Sequence, residues 1–387
     1  MRLLIAGGGT GGHIYPALAV ARSLHERPDR PDAPELVWLG GHRGLEAELV
    51  RDARIRVRRL ALRSLRTVDR SVHTILDPLR LGLSVPQAAA ILAIERPAAI
   101  LTTGGYVSVP VVLAAAPLRI PVVLWEGNAI PGRSVRAVAR LAAALAVSYE
   151  AAGTALAGAA VPTFVSGTPI RDVSAISRAS ARARLDLPPD APTILIFGGS
   201  QAVRRFNGAV AAALPRLLAR VHVLHVSGES GYAAALAQRE QLSAEVRGRY
   251  RPSPFLRDDM LAALVATDLV IGRAGSSTLA EVTALGIPSV IVPYPHAAGH
   301  QGANAEILAA AGAARIVADE TFDADALVAA TDILFDEPAR ASMAAAARAF
   351  GRPGAADAIA ALVLALAERR PLPSVEAIDA IARGAGS

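Results

Sequence analysis

A predicted strand that ends in a glycine loop occurs twice in this chain, about 190 residues apart, and this repeat constrains the fold more than any other feature. The first strand, Arg2–Ala6, leads into Gly7-Gly8-Gly9-Thr10-Gly11-Gly12-His13. The second, Thr193–Phe197, leads into Gly198-Gly199-Ser200-Gln201. A buried strand followed by a glycine loop and a helix is typical of nucleotide-binding α/β domains. The repeat therefore predicts two such domains in tandem.

Further short runs rich in β-branched residues alternate with Ala- and Leu-rich stretches, which is the pattern of a parallel α/β architecture. In the first half the additional predicted strands are Leu36–Leu39, Ala99–Thr102, Val122–Leu124 and Leu145–Val147. In the second half they are Val221–Val226, a weak strand near Tyr250, Leu269–Ile271 and Val290–Val292.

The connecting and terminal segments follow from the same pattern. We expect the linker near Ser166–Arg171, where Gly and Pro interrupt the alternation. The stretch Ala339–Arg369 should be helical with a break at Gly351–Gly354, and the tail after Pro371 should be loosely held.

Length and composition allow two cores and exclude several kinds of site. A chain of 387 residues with 52% hydrophobic residues can bury two domains. Cysteine is absent, which excludes a disulfide framework and thiolate metal sites. Each of the 40 basic residues is an arginine, so Schiff-base lysines and the phosphate lysine of a Walker loop are excluded too.

The net charge of +6 is unevenly distributed. Residues 1–165 hold 19 arginines against 12 acids, whereas the rest hold 21 against 22. One cluster in the basic half comprises Arg51, Arg54, Arg56, Arg58, Arg59, Arg63, Arg66 and Arg70. An anionic membrane surface or a nucleic acid would attract it, and a solvated charged face is the alternative. Without a signal-like start or an uninterrupted apolar window of about 18 residues, we expect a soluble or peripheral protein.

The first glycine loop combines close backbone approach with a titratable group. Glycines admit a ligand to the backbone, and the following helix offers its N-terminus to an anion. No Lys-Ser/Thr pair follows and no acid stands at the expected distance, so it is neither a Walker loop nor a dinucleotide fingerprint. His13 has a reference pKa near neutrality, which suits a general base; a structural histidine is the alternative.

The second half carries a comparable strand–loop–helix junction. Gly272-Arg273-Ala274-Gly275-Ser276-Ser277-Thr278-Leu279-Ala280-Glu281 presents small residues and backbone N–H groups suited to a diphosphate, and Glu281 to a ribose diol. A helix cap with a capping-box start is the alternative. Farther on, Gln301 and Asn304 have amides that can bind sugar hydroxyls. His296 and His300 lack nearby carboxylates, so we predict no metal site.

Taken in order, these motifs resemble those of the MurG family (glycosyltransferase family 28), the UDP-N-acetylglucosamine:lipid I N-acetylglucosaminyltransferases of bacterial cell-wall synthesis. The resemblance rests on Gly9-Thr10-Gly11-Gly12-His13 with Pro16, Thr103-Gly104-Gly105-Tyr106-Val107-Ser108, Glu126-Gly127-Asn128, Gly167-Thr168-Pro169-Ile170-Arg171, Gly198-Gly199-Ser200-Gln201, Arg273-Ala274-Gly275 with Glu281, and His300-Gln301 with Asn304. The motifs keep the family's order and spacing across about 300 residues. The chain departs from the family at Trp125 and Gly127, where His and Gln are usual.

The resemblance implies a GT-B fold, in which two Rossmann-like parallel-sheet domains face each other across a cleft. We expect residues 1–166 to form the acceptor- and membrane-facing domain and residues 167–351 the UDP-sugar domain, with a C-terminal helix of about residues 352–370 packing back on the first. The implied reaction is an inverting, metal-independent transfer without a cofactor. The implied partners are UDP-N-acetylglucosamine, lipid I and anionic lipids at the cytoplasmic face of the cell membrane, where the protein would be peripheral, with no nucleic acid.

The resemblance also implies residue roles. His13 would be the base that deprotonates the acceptor hydroxyl, and Glu126 the second catalytic residue. The implied substrate contacts are Thr10, Gly11, Gly12, Tyr106, Asn128, Arg171, Ser200, Arg257, Ser276, Ser277, Thr278, Leu279, Ala280, Glu281, His300, Gln301 and Asn304. For lipid contact the candidates are Ile75, Leu76, Leu79, Leu81 and Leu83 beside Arg80, with ordinary core packing as the alternative.

Two other functions remain open on the sequence. One is a different GT-B enzyme, acting on another lipid or natural product, or a UDP-N-acetylglucosamine 2-epimerase, which would need further acids around the sugar. The other is a non-catalytic nucleotide-binding or nucleic-acid-associated protein that uses the basic half. An aromatic content of 4% leaves little for base stacking, and the sequence contains no recognisable nucleic-acid module.

Overall fold

The computed structural model describes residues 1–8, 11–26, 33–41, 50, 53, 55–62, 72–198, 203–256, 259–295 and 299–384. The chain divides into two compact units. Unit 1 is Met1–Arg171 together with Arg352–Ser387, and unit 2 is Asp172–Gly351.

Unit 1 is built on a seven-stranded parallel sheet with the order β3-β2-β1-β4-β5-β6-β7. Its strands are β1 (Arg2–Ala6), β2 (Glu35–Gly40), β3 (Arg56–Arg59), β4 (Ala99–Thr102), β5 (Val122–Glu126), β6 (Ala144–Val147) and β7 (Thr163–Val165). The chain starts in the middle of the sheet and winds first to one side and then to the other. The point of reversal, where open α/β sheets bind ligands, therefore lies between β1 and β4.

Unit 2 repeats this plan with a six-stranded parallel sheet in the order β10-β9-β8-β11-β12-β13. Its strands are β8 (Thr193–Phe197), β9 (His222–Val226), β10 (Tyr250–Ser253), β11 (Leu269–Gly272), β12 (Ser289–Ile291) and β13 (Arg315–Ile316). The corresponding reversal lies between β8 and β11. The predicted fold class, two parallel-sheet α/β domains, is confirmed.

Helices connect the strands of both units. They are α1 (Gly11–His25), α2 (Val72–Glu95), α3 (Ser108–Ala115), α4 (Arg133–Val138), α5 (Glu150–Leu156), α6 (Arg178–Arg184), α7 (Val203–Leu218), α8 (Glu229–Gln241), α9 (Ala244–Arg247), α10 (Met260–Ala266), α11 (Ser276–Leu285), α12 (His300–Ala310), α13 (Ala324–Ala330), α14 (Glu337–Phe350), α15 (Ala355–Ala367) and α16 (Val375–Ala382). Short 3-10 turns occupy Ala139–Leu141, Ala157–Ala159, Asp319–Thr321 and Thr331–Phe335.

Both faces of each sheet are buried, because successive strand residues point to opposite faces and each face carries a helical layer. In β1, Leu3 and Ile5 join one core with residues of α1, α15 and α16. Leu4 and Ala6 join a second core with residues of α2, α3 and α4. In unit 2, residues of β8 likewise divide between two cores, one with α7 and α13 and one with α10. Burial on both faces explains why the central strands are continuous apolar runs in the sequence.

Three edge strands, β3, β7 and β13, were not predicted from the sequence. β3 is mostly polar in sequence, and two of its arginines, Arg56 and Arg58, are ion-paired to the carboxylate of Glu95, whose side chain is 1% exposed. Arg56 Nη2 lies 2.6 Å from Glu95 Oε2, and Arg58 Nε lies 2.7 Å from Oε1. Ion pairing to a buried acid thus replaces the apolar signal that strand prediction relies on.

The expectation of a loosely held C-terminal tail is wrong. Residues Val375–Ala382 form α16, which packs against α15 and β7 and fully buries Ile378 and Ala382. The helix is capped by Ser374 Oγ, which accepts from the N–H of Ala377. The N–H of Gly354 donates to the carbonyl of Ala382 at 2.9 Å. Burial of apolar side chains at helical spacing stabilises this segment, although chain termini are usually disordered.

Among the described residues, one stretch is long and apolar enough to cross a membrane by length and composition, Glu337–Ala367. It is interrupted at Gly351–Gly354, as predicted, and forms the two helices α14 and α15. Within its most apolar window 56% of the residues are buried inside the protein. α15 packs against α1, β4 and β5, so we interpret it as a core helix of unit 1.

Replacing Gly354 with alanine should detach α16. The added Cβ would lie 2.0 Å from the carbonyl oxygen of Ile381, so the helix end has to move, at an expected cost of about 1–3 kcal/mol in the free energy of unfolding. Limited proteolysis of the C-terminus and hydrogen exchange of α16 measure this. Gly158→Ala in the same unit is the control, since its Cβ meets no atom within 4 Å. Equal protection of α16 in both variants would contradict the expectation.

Candidate functional site

The polar residues of unit 1 that the sequence singles out collect at the carboxyl ends of three adjacent strands. His13 is in the first turn of α1, just beyond β1. Thr103 directly follows β4, and Glu126 is the last residue of β5. Because these strands are parallel, their carboxyl ends share one edge of the sheet, and the pair β1–β4 marks the reversal point.

The imidazole of His13 is held by Thr103 in one orientation and one tautomer. His13 Nδ1 lies 2.6 Å from the carbonyl oxygen of Thr103, and Thr103 Oγ1 donates to the His13 carbonyl at 2.9 Å. A carbonyl only accepts, so the neutral ring carries its proton on Nδ1 and the lone pair on Nε2. The ring lies against Gly105, whose φ of +73° favours glycine and where a Cβ would stand 3.3 Å from His13 Cδ2.

Burial lowers the pKa of His13 from its ordinary value of 6.5. The hydrogen bond to Thr103 and the negative charge of Glu126 oppose this effect without cancelling it. The ring is therefore neutral at pH 7, and Nε2 is available as a proton acceptor.

Glu126 holds the loop that follows β5. Its Oε1 accepts from the backbone N–H of Asn128 at 2.9 Å and from Asn128 Nδ2 at 3.1 Å, and its Oε2 accepts from the N–H of Gly132 at 2.8 Å. The residue is 5% exposed. These bonds engage both carboxylate oxygens within its own loop. They indicate a positioning role for Glu126, and the catalytic role implied by the resemblance stays a prediction.

The departure at Trp125 has a structural consequence. The indole is 1% exposed, and its Nε1 donates to the carbonyl of Gly167 at 3.1 Å. Next to it, Thr168 Oγ1 lies 2.7 Å from Ser148 Oγ. The segment predicted as a linker is thus attached to unit 1, and unit 1 extends to Arg171.

The other predicted residues of unit 1 lie at the same edge with differing exposure. Gly11 and Gly12 open α1, and Thr10 lies outside the described residues. Tyr106 follows the Gly104-Gly105 pair, and its hydroxyl occupies the space beside Gly41 at the end of β2. Asn128 is partly exposed in the loop after β5, and Arg171 is partly exposed at the end of the unit.

In unit 2 the corresponding position is the N-terminus of α11, beyond β11. The first intrahelical bond runs from the N–H of Leu279 to the carbonyl of Gly275 at 3.0 Å, so the N–H groups of Ser276, Ser277 and Thr278 precede the ladder. No side-chain bond caps the helix at Gly275, and Ser277 Oγ is buried without a hydrogen-bond partner among the described residues. A helix N-terminus that no side chain caps suits an anionic group.

The alternative considered for this helix, a capping-box start, is wrong, since the N-cap is Gly275. Leu279 is 1% exposed in the core and donates its N–H to the carbonyl of Gly275, and its substrate contact stays a prediction. Ala280 and Glu281 are partly exposed one turn into the helix. The motif alone does not show which of its side chains face the core.

The third cluster predicted in unit 2 is at the start of α12. Gln301 Oε1 accepts from the N–H of Tyr294 at 3.0 Å, and Asn304, which is fully buried, donates from Nδ2 to the carbonyl of Ala274 at 3.4 Å. His300 is the first residue of the helix. Ser200, Arg257 and His296 lie outside the described residues. In the part of the chain that the structure describes, no group of His, Asp and Glu residues is arranged to hold a metal.

Thr103 is the functional residue that sequence reasoning missed. It was noted only as the first residue of a glycine motif, although it fixes the tautomer of His13. A signal existed, because both residues follow predicted strands. Using it would have required knowing that β1 and β4 are neighbours, which the sequence does not state.

Both units match one family of enzymes, and of the strands described above only β7 (Thr163–Val165) lies wholly outside the matched residues. Residues 3–147 match the family described as glycosyltransferase family 28 N-terminal domain, and residues 193–359 match the glycosyltransferase family 28 C-terminal domain.

The chain is also similar to known proteins over almost its whole length, as two relatives and one solved structure illustrate. The UDP-N-acetylglucosamine–N-acetylmuramyl-(pentapeptide) pyrophosphoryl-undecaprenol N-acetylglucosamine transferase of Desulforudis audaxviator is 38% identical, with 95% of this chain and 99% of the relative covered. The protein of the same name from Moorella thermoacetica is 39% identical, with 95% and 100% covered. Among solved structures, MurG of Acinetobacter baumannii superposes with a TM-score of 0.72 at 28% identity, over 94% of this chain and 99% of that one.

The pKa of His13 should lie below 6.5 and fall further in Glu126→Gln, because the substitution removes a negative charge that favours the imidazolium. Titration of the imidazole C2–H signals by NMR measures it, with His13→Gln identifying the signal among the eight histidines. Glu150→Gln removes an exposed charge from the same unit and is the control. A raised pKa in Glu126→Gln would contradict the electrostatic account.

Proposed function

We propose that this chain, which belongs to glycosyltransferase family 28, transfers N-acetylglucosamine from UDP-N-acetylglucosamine to lipid I (undecaprenyl-pyrophosphoryl-N-acetylmuramoyl-pentapeptide) and thereby forms lipid II. The observation that carries the proposal is the similarity over almost the whole chain to relatives named for this transfer. The active-site chemistry of both units is compatible with it.

His13 is the general base of the proposed reaction. The acceptor hydroxyl attacks the anomeric carbon of the donor sugar, Nε2 takes its proton, and the bond between that carbon and the UDP oxygen breaks with inversion. Support comes from the hydrogen bond to Thr103, which leaves the lone pair on Nε2, and from burial, which keeps the ring neutral.

The donor binds to unit 2. The leaving UDP carries the developing negative charge, and the uncapped N-terminus of α11 supplies backbone N–H donors for it. Glu281 lies one turn into the same helix, where a carboxylate can accept from a ribose diol. Gln301 and Asn304 are assigned to the N-acetylglucosamine. The reaction uses no metal in this proposal.

The direct test is transfer of radiolabel from UDP-N-acetylglucosamine to a lipid I analogue in the presence of EDTA. His13→Ala should lower kcat about 100-fold or more, because the general base is lost. The control is His25→Ala, which removes an exposed histidine from the other end of α1. Near-normal turnover by folded His13→Ala would remove this residue from the role of base.

Product analysis separates the proposal from its rivals. Incubation with UDP-N-acetylglucosamine alone should leave that compound unchanged, whereas an epimerase would form UDP-N-acetylmannosamine. Loss of turnover on adding EDTA would contradict metal-independent transfer.

The protein is proposed to act at the cytoplasmic face of the cell membrane through the helical layer of α2, α3 and α4. Exposed leucines occur along this layer: Leu83 is 68% exposed, Leu113 41%, Leu118 42% and Leu141 44%. These residues belong to helices that pack side by side, or to the turns that follow them. Among the sequence candidates, Leu81 packs partly against the core, and the side chains of Ile75, Leu76 and Leu79 lie outside the described residues.

The charge of this layer complements an anionic surface. Residues 80–149 contain six arginines and only two acids, Glu95 and Glu126, both of which are buried. The exposed charges of this segment are therefore all positive. Within the arginine cluster predicted from the sequence, Arg58 is paired to Glu95, and Arg63 and Arg66 lie outside the described residues. Apolar side chains beside exposed positive charge favour binding to anionic lipid.

Replacing Arg119, Arg136 and Arg140 with serine should weaken binding to phosphatidylglycerol vesicles on the order of 100-fold, at about 1 kcal/mol for each charge. Vesicle sedimentation measures the partition. The control replaces Arg216, Arg220 and Arg340 of unit 2 and removes the same charge. Equal partition of the two triple variants would contradict this membrane-binding surface.

A further inference from the structure

Arg273 is a buried cation that no predicted role accounts for. It stands between β11 and α11, and its side chain is 7% exposed. Nη1 forms an ion pair with Asp319 Oδ1 at 2.6 Å. It also donates to the carbonyls of Val292 and Pro293, at 3.0 and 3.4 Å. A charge buried this deeply needs such partners, because desolvation disfavours it.

Two aromatic rings enclose the same guanidinium. Its central carbon lies 4.8 Å from the ring centroid of Phe206 and 5.4 Å from that of Tyr294. Phe206 is fully buried on α7 and packs against Phe322 at 4.7 Å between centroids. Such distances allow cation–π attraction, which is stronger for a desolvated guanidinium than for an exposed one.

These contacts join the segments that carry the donor contacts assigned to unit 2. Arg273 itself precedes the N-terminus of α11. Val292, Pro293 and Tyr294 form the loop that leads to α12, and the N–H of Tyr294 is bound by Gln301. Asn304 completes the connection by donating to Ala274, the neighbour of Arg273.

The start of α7 is bound to the same centre. Asp319, whose side chain is 13% exposed, also pairs with Arg205 Nε at 3.2 Å. Arg205 Nη1 donates to the carbonyl of Glu320 at 3.2 Å. Arg205 and Phe206 thus attach the first turn of α7, which follows β8, to Arg273 and Asp319. The segments that follow β8, β11 and β12 all contain residues in contact with Arg273 or Asp319.

We infer that Arg273 is a positioning residue that fixes the N-termini of α11 and α12 for the nucleotide diphosphate and the sugar. Its guanidinium contacts carbonyls, a carboxylate and aromatic rings of unit 2, and through these contacts it acts on the helices it holds. This inference rests on the proposed function, because it assigns the donor to this edge of the sheet.

The test compares two buried arginines of unit 2. Arg273→Lys keeps the positive charge and loses the planar fork that binds two groups at once. We expect the Kd for UDP, measured by isothermal titration calorimetry, to rise at least about 10-fold, because the helix N-termini that bind the nucleotide would move out of position. The KM for UDP-N-acetylglucosamine should rise likewise, with a smaller change in kcat.

The matched control is Arg182→Lys. Arg182 is 2% exposed and donates to the carbonyls of Pro188, Ala191 and Ala266, but it lies at the amino ends of the same strands, beside Thr193. The Arg182→Lys variant should be less stable than the wild type, and its affinity for UDP should be unchanged. Equal weakening of UDP binding in both variants, or unchanged binding in Arg273→Lys, would overturn the inference.

Two further measurements keep the outcomes distinct. Amide exchange of α11 and α12 without ligand should rise in Arg273→Lys and stay unchanged in Arg182→Lys; if it stays unchanged in both, the inference is overturned. If the wild-type chain fails to bind UDP while this difference in amide exchange holds, the proposed function fails and the positioning of the helices stands.

Asp319→Asn removes the charge that pairs with Arg273 and keeps the size of the side chain. This variant should also bind UDP more weakly; unchanged affinity would count against the ion pair.

Discussion

The parallel pairing of β1 with β4 is the constraint on which the candidate base depends. Their register sets Ala6 opposite Thr102, and the N–H of Thr103 continues the ladder to the carbonyl of Ala6. That register places the Thr103 carbonyl within 2.6 Å of His13 Nδ1, although the two residues are 90 positions apart. A shift along either strand would leave the imidazole without a fixed tautomer. The order of the strands in the sheet therefore brings His13 and Thr103 together, whereas the apolar residues of these strands carry no information about the site.

Unit 2 has the same winding order but a different chemistry at the reversal point. Where unit 1 presents an imidazole, unit 2 presents the uncapped N-terminus of α11, with its ribose and sugar candidates on α11 and α12. A fold of this kind supplies an edge where loops meet, and the loops decide what the edge does. The division is chemically sensible for the proposed transfer. A proton acceptor serves the attacking hydroxyl, whereas fixed N–H dipoles serve a departing pyrophosphate without taking up a proton.

The sequence predicted the central strands well and the peripheral contacts poorly, for physical reasons. Buried parallel strands such as Thr193–Phe197 are apolar on both faces, so local composition identifies them. In β3 the stabilising contacts come from Glu95, 37 and 39 residues away in sequence, and no local pattern reports them. Leu279, which its motif predicts as a substrate contact, is 1% exposed in the core, because membership of a motif does not show which side chains are buried. Thr103 was overlooked because its function lies in a backbone carbonyl, which every residue possesses.

A chain whose basic residues are all arginine faces a particular electrostatic problem in its interior. A buried lysine can shed its proton, but an arginine keeps its charge at any physiological pH, so each buried arginine has to be matched by acceptors. Arg182 and Arg273 both obtain backbone carbonyls and an aspartate, Asp268 and Asp319 respectively. Such centres are demanding in geometry, because a planar guanidinium accepts few arrangements of its partners. That rigidity is a liability at a site that must rearrange and an advantage at one that must hold helix ends in place. The placement of Arg273 between the segments assigned to the donor uses the second property.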